Sequence, residues 1–305
     1  MTPTVGDALR LGIERLRASG AERPRLDVEL LLGHATGLSR TSIVAHPEAP
    51  LPMAALATFR AGLARRERGE PVAYIRGVKE FYGLIFRADR RALIPRPETE
   101  LLVELAGGLV AQRLEGPDGP DGPDGPEGPA QLRLVDVGTG SGAIPVALAA
   151  LLRRRGWLDR VEILATDQSP EALELAADNL RAHDLAARIR LAEADLLPSG
   201  EPPFDLVLAN LPYIPTGDIA NLPVAASFEP RSALDGGRDG LAVIRRLLAR
   251  LPGVLAGNGV ALLEIGGDQE TALHLAVAEL LPRWRSRVER DLAGLPRVAV
   301  VERPA

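Results

Sequence analysis

Apolar residues recur at helical spacing through the first seventy positions. Leu9, Ile13 and Leu16 predict a helix that stops at Gly20, and Leu26, Leu30, Leu31 and His34 a second that ends near Gly37. Ser39–Ala45 reads as a third helix, and Ala54–Arg68 as a longer fourth one closed by Gly69 and Pro71. Short amphipathic helices on short links predict a small bundle over residues 1–70. The period then changes. Val72-Ala73-Tyr74-Ile75 and Phe81-Tyr82-Gly83-Leu84-Ile85-Phe86 are β-like, with Gly77 between them, and predict a hairpin linker over residues 71–94. Pro95-Arg96-Pro97 with Glu98 and Glu100 marks the start of an apolar helix from Leu101 to about Leu114.

Beyond residue 130 apolar strand runs alternate with helical stretches. Strands are expected at Leu132–Val137, Val161–Thr166, Ile189–Ala192, Phe204–Ala209 and Val260–Ile265, with helices near 141–155, 170–183, 240–251 and 269–281. Two more strands, Arg285–Arg290 and Arg297–Val301, follow without a helix between them, so the last should run antiparallel. This is the pattern of a doubly wound α/β domain over residues 95–305, whose chemistry belongs at the carboxyl ends of its strands.

Composition removes several classes of function. The 305 residues contain no cysteine, which excludes disulfides, thiolate metal sites and cysteine nucleophiles, and the four histidines have no metal-ligand spacing, so no metal is expected. The chain has no apolar run of about 18 residues and no basic-then-apolar leader, so a cytoplasmic, membrane-free protein is expected. Residues 116–129, Gly-Pro-Asp repeated and then Gly-Pro-Glu-Gly-Pro, carry four of the acidic groups behind the net charge of −5. With nothing apolar to bury, this insert is expected to be a disordered loop. The rest is close to neutral, which is no footprint for a nucleic-acid partner. A monomer is expected.

Four strand ends carry the candidate chemistry. Asp136-Val137-Gly138-Thr139-Gly140-Ser141-Gly142 offers a tight turn that a ligand can approach closely. With Ala143 it also satisfies a dinucleotide pattern, so a nicotinamide enzyme competes at this point. Asp167 is placed to accept ribose hydroxyls, and Asp195 with Leu196 to bracket a base. Asn210-Leu211-Pro212-Tyr213 ends the fourth strand with an amide, a rigid proline and a ring, a clamp for a planar NH2-bearing group. The long connection 214–239 suggests a functional loop, with Phe228, Glu229 and Pro230 as a wall of the substrate pocket. His183 reads as an exposed helix residue, and Glu264 as a solvated strand end or, alternatively, a group that supports the site from behind.

These motifs together resemble the release-factor glutamine N5-methyltransferases, class I S-adenosyl-L-methionine enzymes. The resemblance rests on Pro71–Gly77 with Glu80–Gly83, Ile94–Glu100, Asp136–Gly142, Asn210–Tyr213, Phe228–Leu234 and Gly236–Leu241. It implies a Rossmann-like class I methyltransferase sheet of seven strands, the last antiparallel, behind an N-terminal helical bundle that docks a class 1 peptide-chain release factor. Gly138, Thr139, Gly140, Ser141 and Gly142 would line the methionine part of the cofactor, Asp167 the ribose, and Asp195 with Leu196 the adenine. Asn210, Leu211, Pro212 and Tyr213 would form the catalytic clamp around the glutamine of a Gly-Gly-Gln motif, Asn210 also bordering the cofactor. Leu211 departs from the family, which usually has proline there; the group expected to act at that position is a main-chain carbonyl, which survives. Alternatives are a glutamine methyltransferase for a ribosomal protein, an RNA adenine N6-methyltransferase, and a release-factor-binding module without catalysis.

Overall fold

The computed structural model describes residues 3–115 and 131–304, so the expectation for the 116–129 insert lies outside the described residues. Two compact units emerge: one runs through Lys79 and includes Leu222–Phe228, the other comprises Glu80–Asn221 and residues from Glu229 onward.

The first unit holds α1 (Val5–Ala18), α2 (Pro24–Thr36), α3 (Arg40–Ala45) and α4 (Met53–Glu67). Local chemistry sets their ends. Thr4 accepts from the Asp7 amide while the Asp7 carboxylate returns to the Thr4 amide, a capping box, and Gly37 closes α2 at φ 74°. Leu16, Val28, Leu32, Phe59 and Leu63 fill the bundle core. Val72–Arg76 is a short helix, α5, and not the first hairpin strand that its composition suggested. Pro71 presets the entry, Gly77 caps the exit at φ 72°, and burial of Tyr74 and of Ile75, the latter in the bundle core, overrides strand propensity. The hairpin itself is β1 (Val78–Phe81) and β2 (Leu84–Arg87), turning at Tyr82-Gly83 rather than at Gly77. Both turn residues have positive φ, 53° and 70°, as a type I′ turn requires.

In the second unit α6 (Glu100–Glu115) precedes β3 (Leu132–Val137), α7 (Ala143–Arg155), β4 (Val161–Asp167), α8 (Pro170–Ala182), β5 (Ile189–Glu193) and β6 (Phe204–Ala209). Then come α9 (Ala242–Val254), β7 (Leu255–Glu264), α10 (Glu270–Leu280), β8 (Arg285–Arg290) and β9 (Pro296–Glu302). The strands form one seven-stranded sheet in the order β5-β4-β3-β6-β7-β9-β8. β3 to β7 are parallel, and β9 is antiparallel to both its neighbours. The final strand therefore runs antiparallel as expected and lies one place in from the edge.

Successive residues of β3 serve opposite faces. Leu134 packs with α6 and α7, while Val135 and Val137 pack with the face covered by α9 and α10. A strand covered on both faces has few polar positions to alternate with, which is why β3, β4 and β6 read as mostly apolar, interrupted within them only by Arg133, Asp136, Glu162, Thr166 and Asp205. Strand order reverses between β3 and β6, which pair with Val137 opposite Ala209. Helices cannot cover both sides of that reversal, so a crevice opens at the carboxyl ends of these two strands.

Candidate active site

A cavity of about 300 Å3 opens at the reversal. Its floor is the turn after β3. Gly138 and Thr139 donate their amides to the Thr166 carbonyl at 2.9 and 2.8 Å, which bends the chain sharply around the end of β4. Gly138 sits at φ 73°, and a side chain there would meet Leu211 Cδ2 at 3.0 Å. The turn needs glycine for both reasons. Asp167, at the end of β4, accepts from the Gly140 amide (2.8 Å) through Oδ2 and from the Ser169 amide (2.9 Å) through Oδ1. Its carboxylate thus orders the turn while still lining the cavity.

Past β5, Leu196 adopts a left-handed backbone at φ 69°, rare for a branched side chain. The Thr166 hydroxyl donates to its carbonyl at 2.6 Å and holds the strained peptide in place. Asp195 beside it is paired with Arg246 of α9. At the end of β6 the Asn210 side chain donates from Nδ2 to Thr99 Oγ1 at 3.0 Å. Among the described residues no group donates to Asn210 Oδ1 or to the Leu211 carbonyl. Leu211 itself is buried and packs in the core cluster that includes Leu196 and Leu241.

Pro95, Arg96 and Thr99 contribute the facing wall. Glu229, buried, holds that wall in place: one carboxylate oxygen accepts from the Ile94 amide at 3.0 Å and the other from Arg96. Tyr213 lies behind the clamp. Its hydroxyl approaches Glu264 Oε1 at 3.5 Å, and its carbonyl accepts from Gln269 Nε2 at 2.8 Å. Burial, and then the neighbouring Glu264, push the Tyr213 hydroxyl up to about 12.

Two carboxyls are held far from their ordinary state. Asp136 is fully buried at the end of β3, and neither of its oxygens nor the Thr139 hydroxyl meets hydrogen-bond geometry with a partner. Burial pushes it up to about 7, the Thr139 hydroxyl pulling it down and Asp167 pushing it further up. Glu264 is buried rather than solvated, which corrects the reading of it as an exposed strand end. Burial drives it up to about 7, against the Thr99 hydroxyl and Arg297. His183 is likewise not simply exposed: its ring lies against Phe86 and its Nε2 is 2.9 Å from the Ile85 carbonyl.

Of the residues singled out from sequence, Gly138, Thr139, Gly140, Ser141, Asp167, Asp195, Leu196, Asn210, Leu211, Pro212 and Pro230 line this one cavity. Gly142 stands just outside as the N-cap of α7, at φ 77° and tight against Ala176. Glu229 and Tyr213 act from behind the walls, and Phe228 falls in the first unit. Sequence reasoning held Thr99 only as part of the Ile94–Glu100 motif, with no role of its own, and it missed Asn179. That side chain, wholly buried on α8, donates to the Ser141 carbonyl (2.8 Å) and accepts from the Arg87 amide (2.7 Å). An asparagine amid the apolar face of a helix was the available signal.

The first unit matches the PrmC N-terminal domain over residues 7–77, and residues 135–211 match a methyltransferase domain. The chain is 40% identical over 296 residues to the release factor glutamine methyltransferase of Moorella thermoacetica, covering 96% of each chain. It is 38% identical over 304 residues to that of Rhodospirillum rubrum, covering 99% of this chain and 86% of the relative. The chain belongs to the release factor glutamine methyltransferases. The fold of this methyltransferase is also that of the catalytic domain of human METTL16, solved in complex with a MAT2A 3′UTR hairpin: TM-score 0.51, 15% identity, 82% of this chain and 81% of that one. At that identity the likeness concerns the fold alone. Among the described residues no helix is long and apolar enough to cross a membrane.

Proposed function

We propose that this methyltransferase transfers a methyl group from S-adenosyl-L-methionine to the side-chain amide nitrogen of the glutamine in a release factor's Gly-Gly-Gln motif. The observation that carries the reading is the pair of open acceptors at the end of β6, Asn210 Oδ1 and the Leu211 carbonyl, on the wall of the cavity that the glycine turn floors. A primary amide has two N–H donors, so two acceptors set side by side match it and fix its plane.

The residues present fit the cofactor. Gly138 and Gly140 form a cradle that side chains would fill, Asp167 keeps lone pairs for ribose hydroxyls, and Leu196 offers an apolar edge for a base. When bound, the cofactor supplies an electrophilic methyl group on a sulfonium. Everything else is done by the chain. An amide nitrogen is a poor nucleophile because its lone pair is delocalised into the carbonyl. Two fixed N–H bonds aim that lone pair, and positioning of this kind lowers a barrier by roughly 7–11 kcal/mol when the geometry is near-attack. The two carbonyl dipoles stabilise positive charge that develops on nitrogen, whose surplus proton leaves to water. The buried Leu211 side chain packs the clamp against Gly138 in place of proline's rigidity.

In this reading the bundle over residues 1–70 docks the release factor, residues 71–94 link it to the transferase domain 95–305, and the enzyme works in the cytoplasm, where translation terminates. Mass spectrometry of a class 1 release factor after incubation with enzyme and cofactor tests it. One added methyl on the Gly-Gly-Gln glutamine is expected. An unmodified glutamine beside a methylated ribosomal protein would overturn it in favour of the sister substrate.

A further inference from the structure

We propose that Gln269 is a positioning residue for methyl transfer, fixing the direction of the Leu211 carbonyl from the turn after β7. The inference rests on the function proposed above and concerns how that clamp keeps its shape.

The Leu211 carbonyl shares a planar peptide with the ring nitrogen of Pro212. That nitrogen carries no proton, so the carbonyl is the plane's one polar group, and among the described residues nothing donates to it. No hydrogen bond of its own sets its direction, so its covalent neighbours must. Upstream, the Leu211 side chain is buried and Ala209 is paired in the sheet with Val137 and Leu263. Downstream, the fixed φ of Pro212 leaves fewer soft torsions than an ordinary chain between the Leu211 carbonyl and the peptide that follows Tyr213.

That downstream peptide is pinned. Gln269 Nε2 donates to the Tyr213 carbonyl at 2.8 Å. The Ile214 amide in the same plane donates to the Leu234 carbonyl at 3.0 Å, but Leu234 belongs to the connecting segment 214–239 itself. Gln269 is the partner that joins the plane to the end of the sheet.

Its own mounting is rigid. Gln269 is 6% exposed and stands as the N-cap residue of α10. Its Oε1 accepts from the Gly266 amide at 2.8 Å, while its main-chain amide donates to the Gly266 carbonyl at 3.0 Å. The side-chain amide cannot flip, because the Gly266 N–H requires an oxygen and the Tyr213 carbonyl requires an N–H. Packing confines it further: a side chain on Gly240 would come within 2.4 Å of Nε2. Burying a glutamine forfeits more rotamer freedom than burying a leucine. Here that amide is spent on two backbone groups, one in its own turn and one in the clamp.

Wild type, Gln269→Glu and Gln269→Met test this. Gln269→Glu keeps the acceptor for Gly266 but sets an oxygen against the Tyr213 carbonyl. Gln269→Met keeps the length with neither bond, and serves if the introduced charge prevents folding. At a temperature below all three melting transitions, both variants are expected to lower kcat on the order of 100-fold, the scale of a misplaced reacting group. Cofactor affinity by calorimetry should be unchanged. On the free enzyme, the NMR order parameter of the Tyr213 backbone N–H should be about 0.85 in wild type and below about 0.6 in the variants. Wild-type kcat in either folded variant, a loss of cofactor affinity matching the loss of kcat, or unchanged order at Tyr213 would overturn the assignment. Order is read without substrate, so a wild type that failed to methylate would count against the proposed function while the order at Tyr213 still decided the role of Gln269.

Discussion

Asn210 is the residue on which the reading turns, because it offers an open acceptor and no other chemistry. Asn210→Ala removes that acceptor and leaves the glycine turn intact. Turnover should fall by about 100-fold or more, while calorimetry finds cofactor affinity within a few-fold of wild type. Near-normal methylation would disprove the clamp. Asp136 supports a prediction of a different kind. Its carboxyl is raised from an ordinary 3.8 to about 7 by burial, so between those values the native protein keeps a proton that the unfolded chain has released. Stability from this group is complete below the ordinary value and is lost as pH rises through about 7. Asp136→Asn stays neutral throughout. Its melting temperature without cofactor should gain on wild type as pH rises through that range, and parallel melting profiles would refute the assignment. Both residues stood out in sequence as strand ends. Their surroundings did not, because burial and pairing come from elements far along the chain.

At the level of elements, the loop after β6 is held by contacts that only the folded chain brings together. Gly240 has φ 77°, and a side chain there would come within 2.2 Å of the Tyr213 carbonyl and 2.4 Å of Gln269 Nε2. Gly240→Ala should therefore destabilise the protein by on the order of 2–3 kcal/mol in urea unfolding, with turnover falling alongside. An unchanged midpoint would mean that the loop shifts freely. Asn179 joins α8 to the Ser141 carbonyl and the Arg87 backbone. Asn179→Ala orphans these groups at about 1–3 kcal/mol each, and cofactor binding should weaken because the glycine turn loses its tether. The α5 segment teaches the complementary lesson. Its β-branched and aromatic residues argued for a strand, but a proline before it, a glycine after it and a buried pair within it made a helix. Over five residues propensity is too weak a force to resist caps and burial.

On the scale of the whole molecule, two units divide the family's two matches between them: the N-terminal domain in one and the sheet with its cavity in the other. The acidic Gly-Pro insert joins α6 to β3 and is built of glycine, proline and acidic residues alone. Replacing residues 116–129 with a short Gly-Ser linker should leave methylation and melting temperature unchanged. A fall in either would assign the insert a role that its composition does not suggest.

What the chain determined by itself was whatever depends on neighbours in sequence. Apolar runs of strand length, capped helices and glycine turns specified the alternation, and the alternation with its short connections specified the sheet and the strand ends where Asp136, Asp167, Asp195 and Asn210 stand. Motif order then specified the family. Tertiary structure decided which polar groups are paired and how deeply they are buried. Glu264, read locally as a solvated strand end, is enclosed by Tyr213, Thr99 and the chain around them. Glu229, read as pocket wall, became the anchor of Ile94 and Arg96 from 135 and 133 residues away. Hydrogen bonding and desolvation act over a few ångströms in space, and that distance is written in the fold rather than in the spacing of residues along the chain.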